Sequence, residues 1–285
     1  MDAREYVRRL REEFADRSDV TITESELRYD KGAYPFLRIA SKEIGPDDRV
    51  LFVTAGFHGD EQAGPLTLLE HADEIVGDAH TSGLKIIIYP LINPSGFVAK
   101  TRYNIDDDKG EEGNNDFLRY ELADGTAVSD LGLGKRFKSW KWTIDVTQRL
   151  PKETLLLAAL LKQDPITQVA AIVDLHQDCY IRGPGAYHYA FGEHPRYRQI
   201  TRKIDAVVPI VRDKEINSGY EFETQQRTDE DGFFIRHDGS IADLFFRLGA
   251  KHAITVETMS DTPMPAAMLV NQIWISGIIR LLRKD

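Results

Sequence analysis

Arg49-Val50-Leu51-Phe52-Val53-Thr54-Ala55-Gly56-Phe57-His58-Gly59-Asp60-Glu61 is the stretch that decides the fold. Its first seven residues form a short, apolar, β-branched run, the pattern of a buried parallel strand. Gly56 breaks the run. From Ala63 the chain turns amphipathic, with Leu66, Leu69 and Glu70 at helical spacing. The stretch therefore reads as strand, turn and helix, with His58 and Glu61 at the strand's end and on the first turn of the helix. At that spacing two side chains converge on one point. A neutral imidazole and a carboxylate together suit Zn²⁺. The carboxyl end of a parallel strand is also where open α/β sheets place their ligands.

A histidine and a glutamate three apart occur by chance on many helices. A catalytic zinc usually takes three protein ligands and keeps one position open. Val169-Ala170-Ala171-Ile172-Val173 is a second buried-strand run, and it ends in Asp174-Leu175-His176-Gln177-Asp178. His176, again at a strand's end, is the best third ligand. Asp174 lies two residues earlier on the same strand face. It can hold the imidazole in one tautomer, as carboxylates behind metal ligands do. The alternative is a satisfied core histidine beside an ordinary strand-terminal aspartate. A third strand, Ala253-Ile254-Thr255-Val256, runs into Glu257. That carboxylate is either a satisfied structural acid or a general base within reach of a metal-activated water.

The other histidines read as structural or surface residues. His71 and His80 lie on or after a polar helix, His188 in a strand, His194 before Pro195, and His252 after a turn. His237 sits in a polar loop that can overhang the site.

Together these residues resemble the zinc carboxypeptidase superfamily (carboxypeptidase A-like), including its aspartoacylase and succinylglutamate desuccinylase branch. His58-Gly-Asp-Glu61 matches the family's H-x-x-E, and His176 its distant third ligand. Leu91-Ile92-Asn93-Pro94-Ser95-Gly96 resembles its N-P-x-G stretch. Thr101-Arg102-Tyr103-Asn104 and Gly113-Asn114-Asn115-Asp116-Phe117 resemble its R-x-N…N-R-x-F region. Gly239-Ser240-Ile241 and Glu257-Thr-Met-Ser-Asp261-Thr262 resemble the segment with the catalytic glutamate. The resemblance runs from about residue 50 to the C-terminus.

It implies one catalytic zinc held by His58, Glu61 and His176, with Glu257 as general base. Arg102 would polarise the scissile carbonyl and stabilise the oxyanion. Asn114 would touch the substrate's terminal carboxylate. A guanidinium stays charged and offers fixed donors to an oxyanion, which suits Arg102 to that role. Two positions depart from the pattern. Asn115 stands where the family has an arginine, so a bidentate contact is lost there. If Asn114-Asn115-Asp116 opens a helical turn, Arg119 shares a face with Asn115 and can replace it. The tyrosine of the peptidases' mobile loop falls at Phe234, which cannot donate a hydrogen bond.

With 285 residues the chain can bury a large core as one α/β domain. The expectation is a single domain over 1–285, with an N-terminal helix and strands to 45 and a catalytic core over 46–285. Strands alternating with helices predict a mostly parallel, twisted mixed sheet with helices on both faces. Net charge is −10 and no basic run occurs, which argues against nucleic acid. The single cysteine, Cys179, leaves no internal disulfide. No apolar run of membrane-spanning length is evident and the N-terminus is charged, so no membrane partner and a cytoplasmic location are expected.

Helices are expected near 2–15, 61–76, 151–163, 195–206, 240–248 and 264–283. Strands are expected near 19–28, 35–41, 49–55, 84–90, 168–175, 186–191, 207–212 and 252–257. Residues 100–148 read as a long functional loop and 213–240 as a lid. The Asp106-Asp107-Asp108 cluster reads as a solvated turn.

The chain is thus expected to be a zinc-dependent hydrolase of an amide bond in a small peptide. Two alternatives stay open. One is a deacylase of N-acyl amino acids. The other is a metal-bound binding protein without activity.

Overall fold

The computed structural model describes residues 1–107, 118–128, 131, 135–142, 150–192, 194–215, 227–234 and 239–284. Within them the chain runs α1 (Ala3–Glu13), β1 (Val20–Tyr29), β2 (Gly32–Ser41), β3 (Val50–Ala55), α2 (Ala63–Thr81), β4 (Lys85–Tyr89) and α3 (Pro94–Ala99). It continues with β5 (Leu118–Glu121), β6 (Ala127–Val128), β7 (Ser139–Trp142), α4 (Lys152–Leu161), β8 (Val169–Asp178), β9 (Ala186–Gly192) and α5 (Arg198–Asp205). It ends with β10 (Phe233–Phe234), α6 (Ile241–Arg247), β11 (His252–Met259) and α7 (Met264–Lys284).

Eight strands form one sheet in the order β1-β2-β4-β3-β8-β11-β9-β10. The four central strands, β4, β3, β8 and β11, are mutually parallel. β2 and β9 join them antiparallel at the two sides, and β1 pairs antiparallel with β2, so the sheet is mixed as expected. β3 is buried at every residue. Leu51, Val53 and Ala55 face one core with α1, α2, α5 and α7. Val50 and Phe52 face the other, with α4, α6 and the smaller sheet. A strand covered on both faces needs a continuous apolar run, and β3 has one. Each fully buried valine, leucine or phenylalanine there contributes about 1.5–3 kcal/mol.

Several expected boundaries shift. β1 and β2 make one long hairpin, with Tyr29 paired to Gly32. β2 starts earlier than expected because Pro35 is tolerated there. β2 meets β4 only at Ile39 and Ala40, so no ladder bond is lost at the proline. The expected loop over 100–148 holds a three-stranded antiparallel sheet, β6-β5-β7. Residues 207–212 are not a strand but touch β9 through a single bridge, Ala186 to Ile210. The described part of the expected lid includes β10, which pairs in parallel with β9. Asp106 is not simply solvated: it accepts from the backbone N–H groups of Asp30 and Lys31 and pairs with Lys152. Asp108 lies outside the described residues.

α7 also departs from the sequence reading. By length and composition it could cross a membrane. In the fold, 56% of that span is buried. Trp274 and Ile278 lie in the core, and Asn271 donates to Thr67 on α2.

Candidate metal centre

The carboxyl ends of β3, β8 and β11 converge at one edge of the sheet. His58 and Glu61 sit in the loop between β3 and α2, not on the helix's first turn, because α2 begins only at Ala63. Two features shape that loop. Gly56 has φ +70°, a conformation that favours glycine. Gly59 packs directly on the α3 backbone, where an added Cβ would lie 2.0 Å from the carbonyl carbon of Gly96. The first helical N–H, at Ala63, is satisfied by the side-chain carbonyl of Gln177 at 2.7 Å. The residue after His176 thus anchors the helix that follows Glu61.

His58, Glu61 and His176 are all buried, and each offers a ligand atom within 4.8 Å of the others'. His58 Nδ1 lies 2.6 Å from Glu61 Oε1, and His176 Nδ1 lies 2.8 Å from Glu61 Oε2. His176 Nε2 lies 3.0 Å from Asp174 Oδ2. Asp174 in turn accepts from the Thr54 hydroxyl at 2.6 Å. With its proton on Nε2, facing Asp174, His176 presents the Nδ1 lone pair toward Glu61. Electron pairs from two imidazoles and a carboxylate then meet in one small volume, which suits a metal cation. The residues present fit the group. Phe57 stacks on the His176 ring at 6.0 Å and 9°.

The electrostatics agree. Burial would push the Glu61 carboxyl up, but His58 and His176 outweigh it and hold it well below the usual carboxylate range. Burial would likewise lower His176, yet Asp174 and Glu61 raise it well above the ordinary imidazole value. Arg102 donates to Glu61 Oε1 at 3.1 Å.

Glu257 is paired with His176 across the parallel strands β11 and β8, and with Tyr187 across β9. Its Oε2 is buried without a hydrogen-bond partner among the described residues. Burial raises its carboxyl well above the usual range, against the pull of His176; Glu61 and Asp178 raise it further and Arg102 opposes. This is the condition of a carboxylate able to take up a proton.

The structure thus brings together His58, Glu61, His176, Arg102 and Glu257. Asn114 and Asn115 lie outside the described residues, as does His237. Arg119 lies on β5, opposite Lys141; the turn expected from Asn114 to Asp116 lies outside the described residues. Phe234 is buried in β10, stacked at 5.2 Å on Tyr189. The remaining described histidines are structural or peripheral. Burial lowers His188 to about 3, and it accepts from the Trp274 indole. His80 links Ser41 and Asp19, and His252 meets the Tyr197 hydroxyl.

Sequence reasoning missed Thr54 and Tyr187. Tyr187 donates to Asp178, two residues past His176. Only the antiparallel pairing of β9 with β11 brings it beside Glu257. α3 was missed too, although Asn93 before Pro94 is a recognisable helix start.

Residues 47–118 match the succinylglutamate desuccinylase/aspartoacylase catalytic domain. No curated protein matches the sequence. Among solved structures, a provisionally assigned metallopeptidase from Shewanella baltica is 22% identical, covers 98% of this chain and 92% of its own, and superimposes with TM-score 0.70. Another, from Shewanella amazonensis, is 21% identical with TM-score 0.71, covering 99% and 93%. A metallo-carboxypeptidase from Burkholderia cenocepacia is 11% identical with TM-score 0.57, covering 99% and 68%. At these identities the likeness shows the fold. The chain thus has the fold of these metallopeptidase and metallo-carboxypeptidase structures, and its segment 47–118, which includes His58, Glu61 and Arg102, is similar to the succinylglutamate desuccinylase/aspartoacylase catalytic domain.

Proposed function

We propose that the protein is a zinc-dependent hydrolase that cuts an amide bond of a small peptide at its C-terminal side. The observation that carries this reading is Glu257 in register with His176, beside the His58–Glu61–His176 cluster. Two imidazoles with one carboxylate are a donor set suited to zinc and leave a coordination position open. When bound, zinc supplies Lewis acidity, activating water near neutral pH and polarising a carbonyl.

The chain's own residues do the rest. Asp174 holds His176 in the tautomer that presents Nδ1. Glu257 takes the proton of the attacking water at its unpartnered oxygen and passes it to the leaving amine. Arg102 donates to the carbonyl oxygen as it gains charge. The buried wall of Phe57 and Trp142 keeps bulk water from the back of the His176 ring.

A second reading, deacylation of an N-acyl amino acid, is favoured by the match over residues 47–118. Both readings use the same centre and differ in what lies beyond it. The test is a substrate panel on zinc-loaded protein: benzoylglycyl amino acids against N-acetylaspartate and N-succinylglutamate. Release of a C-terminal residue supports the first reading, and release of acetate or succinate the second. Absence of turnover with every substrate, zinc being bound, would leave a binding protein and overturn both.

A further inference from the structure

The loop that carries His58 and Glu61 and the segment that carries Arg102 come from different parts of the chain, and one side chain joins them. Asn93 is fully buried at the start of α3. Its backbone N–H donates to Gly56 O at 2.7 Å, tying it to the base of the ligand loop. Its side-chain Oδ1 accepts from Gly96 N at 2.8 Å and from the Ser95 hydroxyl at 3.2 Å. Its Nδ2 donates to Arg102 O at 3.3 Å. That same carbonyl accepts from Gly59 N, between the two ligands, at 3.1 Å. Arg102 O is thus a node where the ligand loop and Asn93 meet. The close packing of Gly59 on Gly96 brings the same two segments together independently of these bonds.

The arrangement requires an amide. Its carbonyl end caps the helix and its NH₂ end reaches Arg102. A carboxylate of the same shape keeps the acceptor and loses the donor. We propose that Asn93 is a positioning residue. It sets the main chain of Arg102 against the ligand loop, so that the guanidinium and the metal ligands keep one geometry. It touches neither metal nor substrate and acts through Arg102. The inference rests on the reading of Arg102 as the group that meets the scissile carbonyl.

The variant that separates the two ends of the amide is Asn93→Asp, with Ser95→Ala as control for the cap. Two measurements are made on zinc-loaded protein. The first is hydrogen exchange at the Gly59 amide, which needs no substrate. It should speed up in Asn93→Asp and stay unchanged in Ser95→Ala, with amides of β3 protected as in the wild type. The second is turnover of the best substrate of the panel. Asn93→Asp should lower kcat about 10- to 100-fold, the scale of a small misplacement of a catalytic group. KM should stay within about twofold and zinc should stay bound. In an Arg102→Ala background the same substitution should cost almost nothing more, because its route is already gone.

Unchanged Gly59 exchange in Asn93→Asp would overturn the inference whatever the activity. So would an equal loss of kcat with and without Arg102, which marks general disruption. If Arg102→Ala cripples turnover and Asn93→Asp does not, Asn93 alone is misassigned. If Arg102→Ala leaves kcat intact, the role of Arg102 itself fails, and the catalytic part of the inference with it.

Discussion

Glu61 and Asp174 grip opposite nitrogens of one ring, that of His176, at 2.8 and 3.0 Å. One carboxylate comes from the loop after β3 and the other from β8 itself. The ring is therefore fixed in plane and in tautomer by two elements at once. Most of the chemistry expected of this centre depends on that grip.

Purified protein should carry about one equivalent of Zn²⁺, the count for a single three-ligand site. His176→Ala should lose most of it. Asp174→Asn keeps all three ligands but loosens the ring, and should weaken metal affinity about 10–100-fold. Metal analysis after dialysis against a graded chelator measures both. Full retention in His176→Ala would remove His176 from the site.

The pH dependence of chelator-treated protein has a definite sign. His176 has a raised pKa, so its charged form stabilises the fold fully below the unfolded imidazole value of about 6.5. That contribution is lost as pH rises through the raised value. Glu257, also raised, is neutral at low pH and destabilises the fold as it ionises, so it acts in the same direction. Thermal unfolding of the chelated protein should therefore move to lower temperature as pH rises above about 6.5. The gain in Tm on adding Zn²⁺ should grow over the same window, since the metal replaces a proton. A flat or opposite trend would contradict the assignment.

Glu257→Gln preserves shape and removes the base. Zinc should remain bound while kcat falls roughly 10²–10⁴-fold, the usual worth of general acid–base catalysis. Steady-state kinetics with parallel metal analysis reads both effects. Turnover near the wild-type rate would make Glu257 structural and direct attention to Asp178.

Gly59→Ala tests the ligand loop's packing. The added Cβ meets main-chain atoms of Gly96 and Phe97, which cannot rotate away. Overpacking of this kind costs about 1–3 kcal/mol. The expected result is a lower Tm together with weakened zinc binding. Unaltered metal affinity would show that the loop tolerates displacement from α3.

What the sequence alone made legible was whatever is written locally. β3, β8 and β11 are written as short apolar runs that lead into His58, His176 and Glu257, and the parallel arrangement of these strands follows from their alternation with helices. The candidate ligands His58 and His176 and the candidate base Glu257 could be singled out because each follows or closes such a run, and Glu61 because it stands three residues after His58. The start of α2 was misplaced by the same local reading, since nothing local shows that Gln177 caps Ala63. Contacts between distant segments were decided only by the fold. Thr54 reaches Asp174 and Tyr187 comes beside Glu257 because strand order and register bring them together, and Asn93 meets Arg102 where the chain turns back after α3. Periodicity specifies which face of an element is buried, whereas register between elements is set by how whole faces pack. Arg119 illustrates the difference: a helical spacing placed it beside Asn115, and pairing with β7 made it part of a strand.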